Sequence, residues 1–409
     1  MKAVILSDFA VPSGGAPKVA IESALALADA GVAVTFVHSV EGEDGRLDRP
    51  SIRRVGLGLK DVWELSPAKG AVKGIWNREA SRRLSEILPP LGKGGQTVLH
   101  LHQWTRAFSP SIVEPLLASG MPLAVTAHDY FLSCPNGVYY RFEHEAPCAL
   151  KPLSLHCLAA GCDPRSYAHK AVRVARGFAT RAAISGKEFD VVHVSDRGRD
   201  TMIGFLPGGL RHHRIDNPIA LAKGKAAAIE AMARFAFIGR LTKEKGAVVA
   251  ARAARLADAP ILFIGDGPAE AEIRAANPQA EISGWRSRDE IDKLLGASLR
   301  AVVAPSLWYE TGPLTVLEAA AAGVASIASN RCGAAERVQH EVSGFVVEPE
   351  AEALAACMRR LKDDDTARRL GLAAYEAYWR DPPTPAAHAA RLISLYGEML
   401  ARAGSRGGA

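Results

Sequence analysis

The sequence contains no run of about 18 uninterrupted apolar residues, which excludes a membrane-spanning helix. Its opening Met1-Lys2-Ala3-Val4-Ile5-Leu6-Ser7 meets Asp8 before a secretory core reaches length, so no signal peptide is expected and the protein is read as cytoplasmic. Glycine (37) and proline (24) stand near average for 409 residues, excluding collagen-like and proline-rich architectures. No short-period repeat is visible. No helix-turn-helix, zinc-finger or RNA-binding aromatic signature accompanies the basic residues, so no nucleic acid partner is expected. What is present is a globular composition, 48% hydrophobic and 23% charged, long enough for two domains at about 150 residues each.

The net charge is +6, and residues 46–93 alone carry 11 basic against 5 acidic side chains. A positive field of this kind attracts membrane phosphates or a phosphorylated small molecule, or it merely solvates the surface.

Strand-length apolar runs alternate with helical patterns: Ala3–Leu6, a helix near Ala16–Ala30, Val32–His38, then Thr97–Leu101, Leu123–Ala127 and Val191–Val194. The pattern breaks into a polar stretch around Arg211–Ala228. It restarts with Phe235–Ile238, Ile261–Ile264, Ala301–Ala304 and Ala325–Ala328. Two α/β units of similar size follow, and ligands of open parallel sheets sit outside the carboxyl ends of the strands.

Those loops carry the candidate chemistry. Gly14 and Gly15 open the first helix, where adjacent glycines let backbone amides approach an anion; a plain strand-to-helix turn looks the same. The dinucleotide fingerprint G-x-G-x-x-G is absent there, which argues against a nicotinamide enzyme. In the second unit Gly239-Arg240 runs to Lys245-Gly246, and a guanidinium fork with an ammonium suits a diphosphate. Gly265 and Gly267 form a tight turn after the next strand. The densest segment is Pro305 to Ala319: Pro313 fits the first turn of a helix, Gly312 to Leu314 present amides at its positive end, and Glu310 and Glu318 offer carboxylates to vicinal hydroxyls. Read as surface charge, all these residues would also be unremarkable.

In this order the residues resemble the retaining glycosyltransferases of family 4. The resemblance runs over almost the whole chain, through Gly14-Gly15, His128-Asp129, Gly239 to Gly246, Gly265 to Pro268 and Glu310-x7-Glu318. It implies an α/β protein of GT-B fold, with two Rossmann-like doubly wound parallel-sheet domains facing a central cleft. Residues 1–215 would form the acceptor-side domain, with a returning helix in 385–409, and residues 216–384 the donor domain. It implies that Arg240 and Lys245 hold the donor diphosphate, that Glu318 binds the ribose, and that Glu310 and His128 approach the transferred sugar. Gly14 and Gly15 would line the cleft floor. The partners implied are a nucleoside-diphosphate sugar and a glycan or lipid-linked acceptor, with peripheral contact to the inner face of a membrane and no metal needed for catalysis. A nucleotide-sugar epimerase of similar fold and a non-catalytic nucleotide-sugar-binding protein are the alternatives.

Four of the six cysteines, Cys134, Cys148, Cys157 and Cys162, crowd one loop after His128. Four thiolates suit tetrahedral zinc, but paired C-x2-C knuckles are missing, so structural zinc and free buried thiols both fit. The following helix bears Lys170, Arg173, Arg176 and Arg181, either as a membrane-facing surface or as an ordinary amphipathic helix. Trp104, Trp285 and Trp308 are candidate stacking residues, and Trp285 falls where the resemblance places a base-binding loop.

Overall fold

The computed structural model describes residues 1–42, 44–229 and 232–407, with side chains through residue 405. The last two residues of the 385–409 segment therefore lie outside the described residues. Two parallel sheets form, as the alternation of the sequence implies. The first has the order β3-β2-β1-β4-β5-β8-β9, built from β1 (Lys2–Ser7), β2 (Ala33–Val40), β3 (Ile52–Leu59), β4 (Thr97–Leu101), β5 (Leu123–Ala127), β8 (Asp190–His193) and β9 (Arg211–Arg214). A separate small hairpin of β6 (Tyr140–Arg141) and β7 (Ala146–Pro147) belongs to the cysteine-bearing loop. The second sheet has the order β12-β11-β10-β13-β14-β15, from β10 (Phe235–Ile238), β11 (Ile261–Ile264), β12 (Glu281–Ile282), β13 (Ala301–Ala304), β14 (Ala325–Ser329) and β15 (Gly344–Val347).

Strands covered on both faces must be apolar throughout, and β1 shows how period two serves two layers. Ala3 and Ile5 join one core cluster with Phe36 and Leu392, while Val4 and Leu6 join another with Leu99 and Val125. The second domain is alanine-rich: Ala250, Ala251, Ala253 and Ala254 of the Ala247–Leu256 helix are buried, so that helix lies close on its sheet.

The polar stretch expected as a break at Arg211 begins instead as a strand. β9 is an edge strand that buries little apolar surface, and charge holds it in register. His213 Nε2 lies 2.7 Å from the buried Asp190 carboxylate, which also accepts from Arg402 at 2.6 Å. The chain crosses to the second domain just after it, where Asp216 gathers Arg214 (2.7 Å), Arg337 (2.6 Å) and Arg391 (3.2 Å) from three separate segments.

The C-terminal helix, Pro385–Gly407, packs on the first domain. Leu392, Leu395, Tyr396 and Met399 are buried with β1 and β2 residues, and His388 bridges Ser23 Oγ (2.8 Å) and the Asp216 carbonyl (2.8 Å). The Tyr396 hydroxyl meets His100 Nδ1 at 2.5 Å, joining this helix to β4.

Tyr396→Ala is expected to lower stability by about 3–5 kcal/mol through the cavity it leaves. Tyr396→Phe, which only orphans His100, is expected to cost about 1–3 kcal/mol. Urea denaturation reads both, and a Phe variant as stable as wild type would contradict the role given to the hydroxyl.

Candidate functional site

In the second sheet the strand order reverses between β10 and β13. These two strands pair only through Phe235–Ala301 and Ala236–Val302, so they part toward their carboxyl ends and leave a crevice, the place where open α/β sheets bind ligands. The loops after β10 and β11 are laced together there: Gly239 N–H donates to the Ile264 carbonyl and Leu241 N–H to that of Asp266, each at 2.9 Å. A Cβ on Gly265 would come within 2.1 Å of the Gly239 carbonyl, and one on Gly267 within 2.3 Å of that of Leu241. Those two glycines thus exist for loop packing. Gly246 (φ 77°) likewise lets the loop turn into its helix against Pro305.

Lys245, at the end of that loop, pairs with Glu310, whose other oxygen accepts from Ser306 Oγ. The ammonium also stands 5.7 Å over the Trp308 ring. Glu318 is paired with Arg288, which Asp292 steadies at 2.9 Å. Both glutamates are buried, at 8% and 6% exposure, a position a carboxylate tolerates only with a cation beside it. Buried donors without partners among the described residues include Thr242 Oγ1, Arg288 Nη2 and Trp308 Nε1. Arg240 is exposed at the same loop and has no acidic partner among the described residues.

The helix after Glu310 begins one residue later than its proline suggests. Pro313 is the N-cap of Leu314–Ala322, with no side chain capping the end, so the amides at the positive end belong to Leu314 and the residues after it. Pro313 itself has no N–H to offer. Gly312 stands between the domains, near Val194 and Asn217. Trp285, 73% exposed, follows Gly284, whose carbonyl accepts from Gly265 at 2.9 Å.

From the first domain, the His128 backbone meets the loop after Glu310: Thr311 Oγ1–H donates to the His128 carbonyl at 2.9 Å across the cleft. His128 Nε2 lies 3.0 Å from His102 Nδ1, and the His102 ring lies against that of His100 with centroids 4.3 Å apart. Burial, then neighbouring imidazoles, push all three well below the ordinary 6.5, His100 and His128 to about 3. The row is therefore neutral near pH 7. Beneath it Asp8 at the end of β1 is fully buried and accepts from the amides of Arg106 (2.7 Å), Ala107 and Phe108 (both 2.9 Å), which shapes the β4 loop. Gly14 and Gly15 begin the first helix exposed, and a Cβ on Gly15 would meet nothing within 4 Å. The protein's own packing does not demand that glycine.

Residues 222–377 match the family model described as glycosyl transferases group 1. The match lies in the second domain, which is similar to the group 1 glycosyltransferases. Curated relatives include the amylovoran biosynthesis glycosyltransferase AmsK of Erwinia amylovora, 30% identical over 149 residues. Another is a UDP-Gal:α-D-GlcNAc-diphosphoundecaprenol α-1,3-galactosyltransferase of Escherichia coli, 31% identical over 146 residues. Each match covers 32% of this chain and 36% of the relative, so the chain spans about a third of the length of the relatives it matches. A sucrose-phosphate synthase from Thermosynechococcus elongatus superimposes with TM-score 0.68 at 17% identity, covering 98% of this chain and all of that one. HepE from Anabaena in complex with UDP does so with TM-score 0.64 at 17% identity, covering 97% of this chain and 100% of that one. At these identities the likeness is one of fold, and the fold is GT-B.

Sequence reasoning missed Arg288, His100 and His102. The Ser287-x-x-Glu290 capping box, present in full, was a legible signal that Arg288 opens a helix. His100-x-His102 at the end of an apolar strand was another, since period two places both on one face.

The cysteine-bearing loop packs around a small cavity. Cys134, Cys148, Cys157 and Cys162 do converge on one small cavity, but the buried Lys170 ammonium enters it, 2.7 Å from Cys162 Sγ and 2.9 Å from the Cys157 carbonyl. Among the described residues no three His, Cys, Asp or Glu side chains group as ligands of one ion. Burial pushes the Cys134 thiol up to about 11, and His144 is exposed beside Glu143. Of the four thiols, that of Cys162 lies against the ammonium. The Tyr167–Ile184 helix likewise turns its cations inward: Lys170 to the thiols, Arg173 to Asp163 at 2.9 Å, Arg176 onto the Phe131 ring, with Arg181 alone of the four exposed. Three of the helix's four cations thus have partners within the protein. Trp104 is a core residue, 6% exposed.

Between pH 3 and 6.5 the unfolded chain binds protons at these imidazoles that the folded chain does not, so they make stability fall as pH falls through that window. Asp129, raised by burial to about 6, opposes part of this by taking up a proton earlier in the folded state. The contribution of one imidazole is isolated by His100→Gln, which is expected to flatten the slope of unfolding free energy between pH 4 and 6 by about 1.4 kcal/mol per pH unit. Equal slopes in the two proteins would contradict the neutral assignment.

Proposed function

We propose that the protein is a retaining, family 4 glycosyltransferase that moves a hexose or related sugar from a nucleoside-diphosphate donor to a glycan or lipid-linked acceptor. The setting we infer is polysaccharide or glycolipid synthesis at the cytoplasmic face of a membrane. The observation that carries this reading is the gathering of Lys245, Glu310, Arg288 and Glu318 at one crevice, with Arg240 at its loop and His128 opposite. Relatives support it: by their names one acts on GlcNAc-diphosphoundecaprenol and another in amylovoran biosynthesis, and HepE is seen with UDP-glucose. Among the described residues no helix is long and apolar enough to cross a membrane.

The chemistry follows from charge. Breaking the sugar–diphosphate bond places negative charge on the leaving oxygens, so cations fixed in advance stabilise the transition state more than the ground state. Arg240, Lys245 and the uncapped amides from Leu314 onward supply that charge, and the reaction as read needs no divalent metal. Glu318, oriented by Arg288, accepts from the ribose hydroxyls. Glu310, held by Ser306, accepts from hydroxyls of the sugar, and neutral His128 contacts the sugar without adding positive charge beside the anomeric carbon. No protein nucleophile is assigned. The acceptor attacks on the face the diphosphate leaves, and a phosphate oxygen takes its proton.

Glu310→Gln and Lys245→Ala are each expected to lower kcat/KM by about 10²–10³-fold, with circular dichroism confirming the fold. Unchanged turnover in both would defeat the assignment. Donor consumed equally well with no acceptor present would instead favour an epimerase or hydrolase.

A further inference from the structure

A second cavity, of about 500 Å³, lies in the first domain between the Pro67–Ile75 helix and the Tyr167–Ile184 helix. Its walls are mainly apolar, from Val62, Leu65, Ala71, Phe131 and Val172. Its inner end is formed by Thr105 and Arg106, three residues beyond the histidine row of β4, and by Phe131, three beyond His128. Segments that follow the histidine row in sequence thus line the cavity.

Charge is the telling feature. Three arginines reach the inner part, and two are neutralised: Arg106 by Asp61, and Arg173 by Asp163 at 2.9 Å. Arg176 is not. Its guanidinium lies 4.3 Å over the Phe131 ring and makes one long hydrogen bond, 3.4 Å, to the Thr105 carbonyl, with no carboxylate paired to it among the described residues. Burial pulls it down to about 10. The buried Asp129 and Asp8 carboxylates act on it from beyond ion-pair distance, so an anion bound on the guanidinium would supply the direct contact it lacks. At the mouth Arg165 stacks 4.1 Å over Trp63, again with no acidic partner. The outer rim is apolar and open, with Trp63 51% and Val72 66% exposed on a segment that also carries Lys69 and Lys73.

We propose that this cavity holds the lipid diphosphate of the acceptor: a phosphate on Arg176, the prenyl-type chain along the apolar walls, and the chain leaving past Trp63 and Val72 toward a membrane. An anion alone would not use the apolar walls, and an uncharged lipid would leave Arg176 without a direct anionic contact. The assignment rests on the transferase reading, because it makes this molecule the anchor of the sugar acceptor, and it narrows the acceptor to a lipid-linked one.

The test uses the full chain and farnesyl diphosphate as a short probe, followed by calorimetry, with farnesol and inorganic diphosphate as separate arms. Farnesyl diphosphate is expected to bind more tightly than either. Arg176→Gln is expected to weaken it about 10–100-fold, the worth of one charge-assisted phosphate contact. Ala71→Phe, which fills the apolar arm, is expected to weaken farnesyl diphosphate while leaving inorganic diphosphate unchanged. Both variants should keep the thermal stabilisation that nucleoside diphosphates give, since the donor crevice is in the other domain; this also shows that they fold. Farnesyl diphosphate binding no tighter than inorganic diphosphate, or equal binding by wild type and both variants, would overturn the proposal. Absence of nucleoside diphosphate stabilisation in the wild type would overturn the transferase reading instead, and the farnesyl diphosphate result would still decide the cavity.

Discussion

Two glutamates sit buried at the carboxyl end of the second sheet, and each is tolerable there only because a cation lies against it: Lys245 on Glu310 and Arg288 on Glu318. The rest of the site depends on these two pairs. They hold a positive and a negative group at each of two points in the crevice, so a molecule with phosphates and vicinal hydroxyls finds donors for the first and acceptors for the second. The orphaned Arg288 Nη2 and Trp308 Nε1 show that the protein alone leaves this hydrogen-bonding set incomplete.

The two domains meet with different electrostatics. The second brings full charges, on loops locked by glycines whose Cβ atoms would strike neighbouring carbonyls. The first brings a row of imidazoles that burial keeps neutral, linked through Tyr396 to the returning C-terminal helix. On the proposed reading, a donor anion would be held on one side while the sugar's far face meets groups that add no net charge. The Thr311–His128 hydrogen bond and the Asp216 arginine cluster set the distance between the two.

Much of this was legible in the sequence. β4, β5, β10, β11 and β13 coincide with apolar runs because strands buried on both faces carry no other pattern. β9 was not legible, since Arg211-His212-His213-Arg214 pairs through Asp190 rather than by burying apolar surface. The donor loops could be located from glycine and charge spacing, whereas the pairing of Lys245 with Glu310 and of Glu318 with Arg288 depends on how loops 30 to 65 residues apart fold together. The cysteine cluster illustrates the limit of counting: four cysteines near one another in sequence line one small cavity, and the Lys170 ammonium enters it against Cys162.

The most direct test of the central claim is a crystal structure of the protein with a nucleoside diphosphate bound. The account predicts the outer phosphate within hydrogen-bond reach of Lys245 Nζ and the amides that open the Leu314–Ala322 helix, with the ribose hydroxyls on Glu318. A diphosphate bound elsewhere, with both glutamate–cation pairs undisturbed and solvent in the crevice, would contradict it.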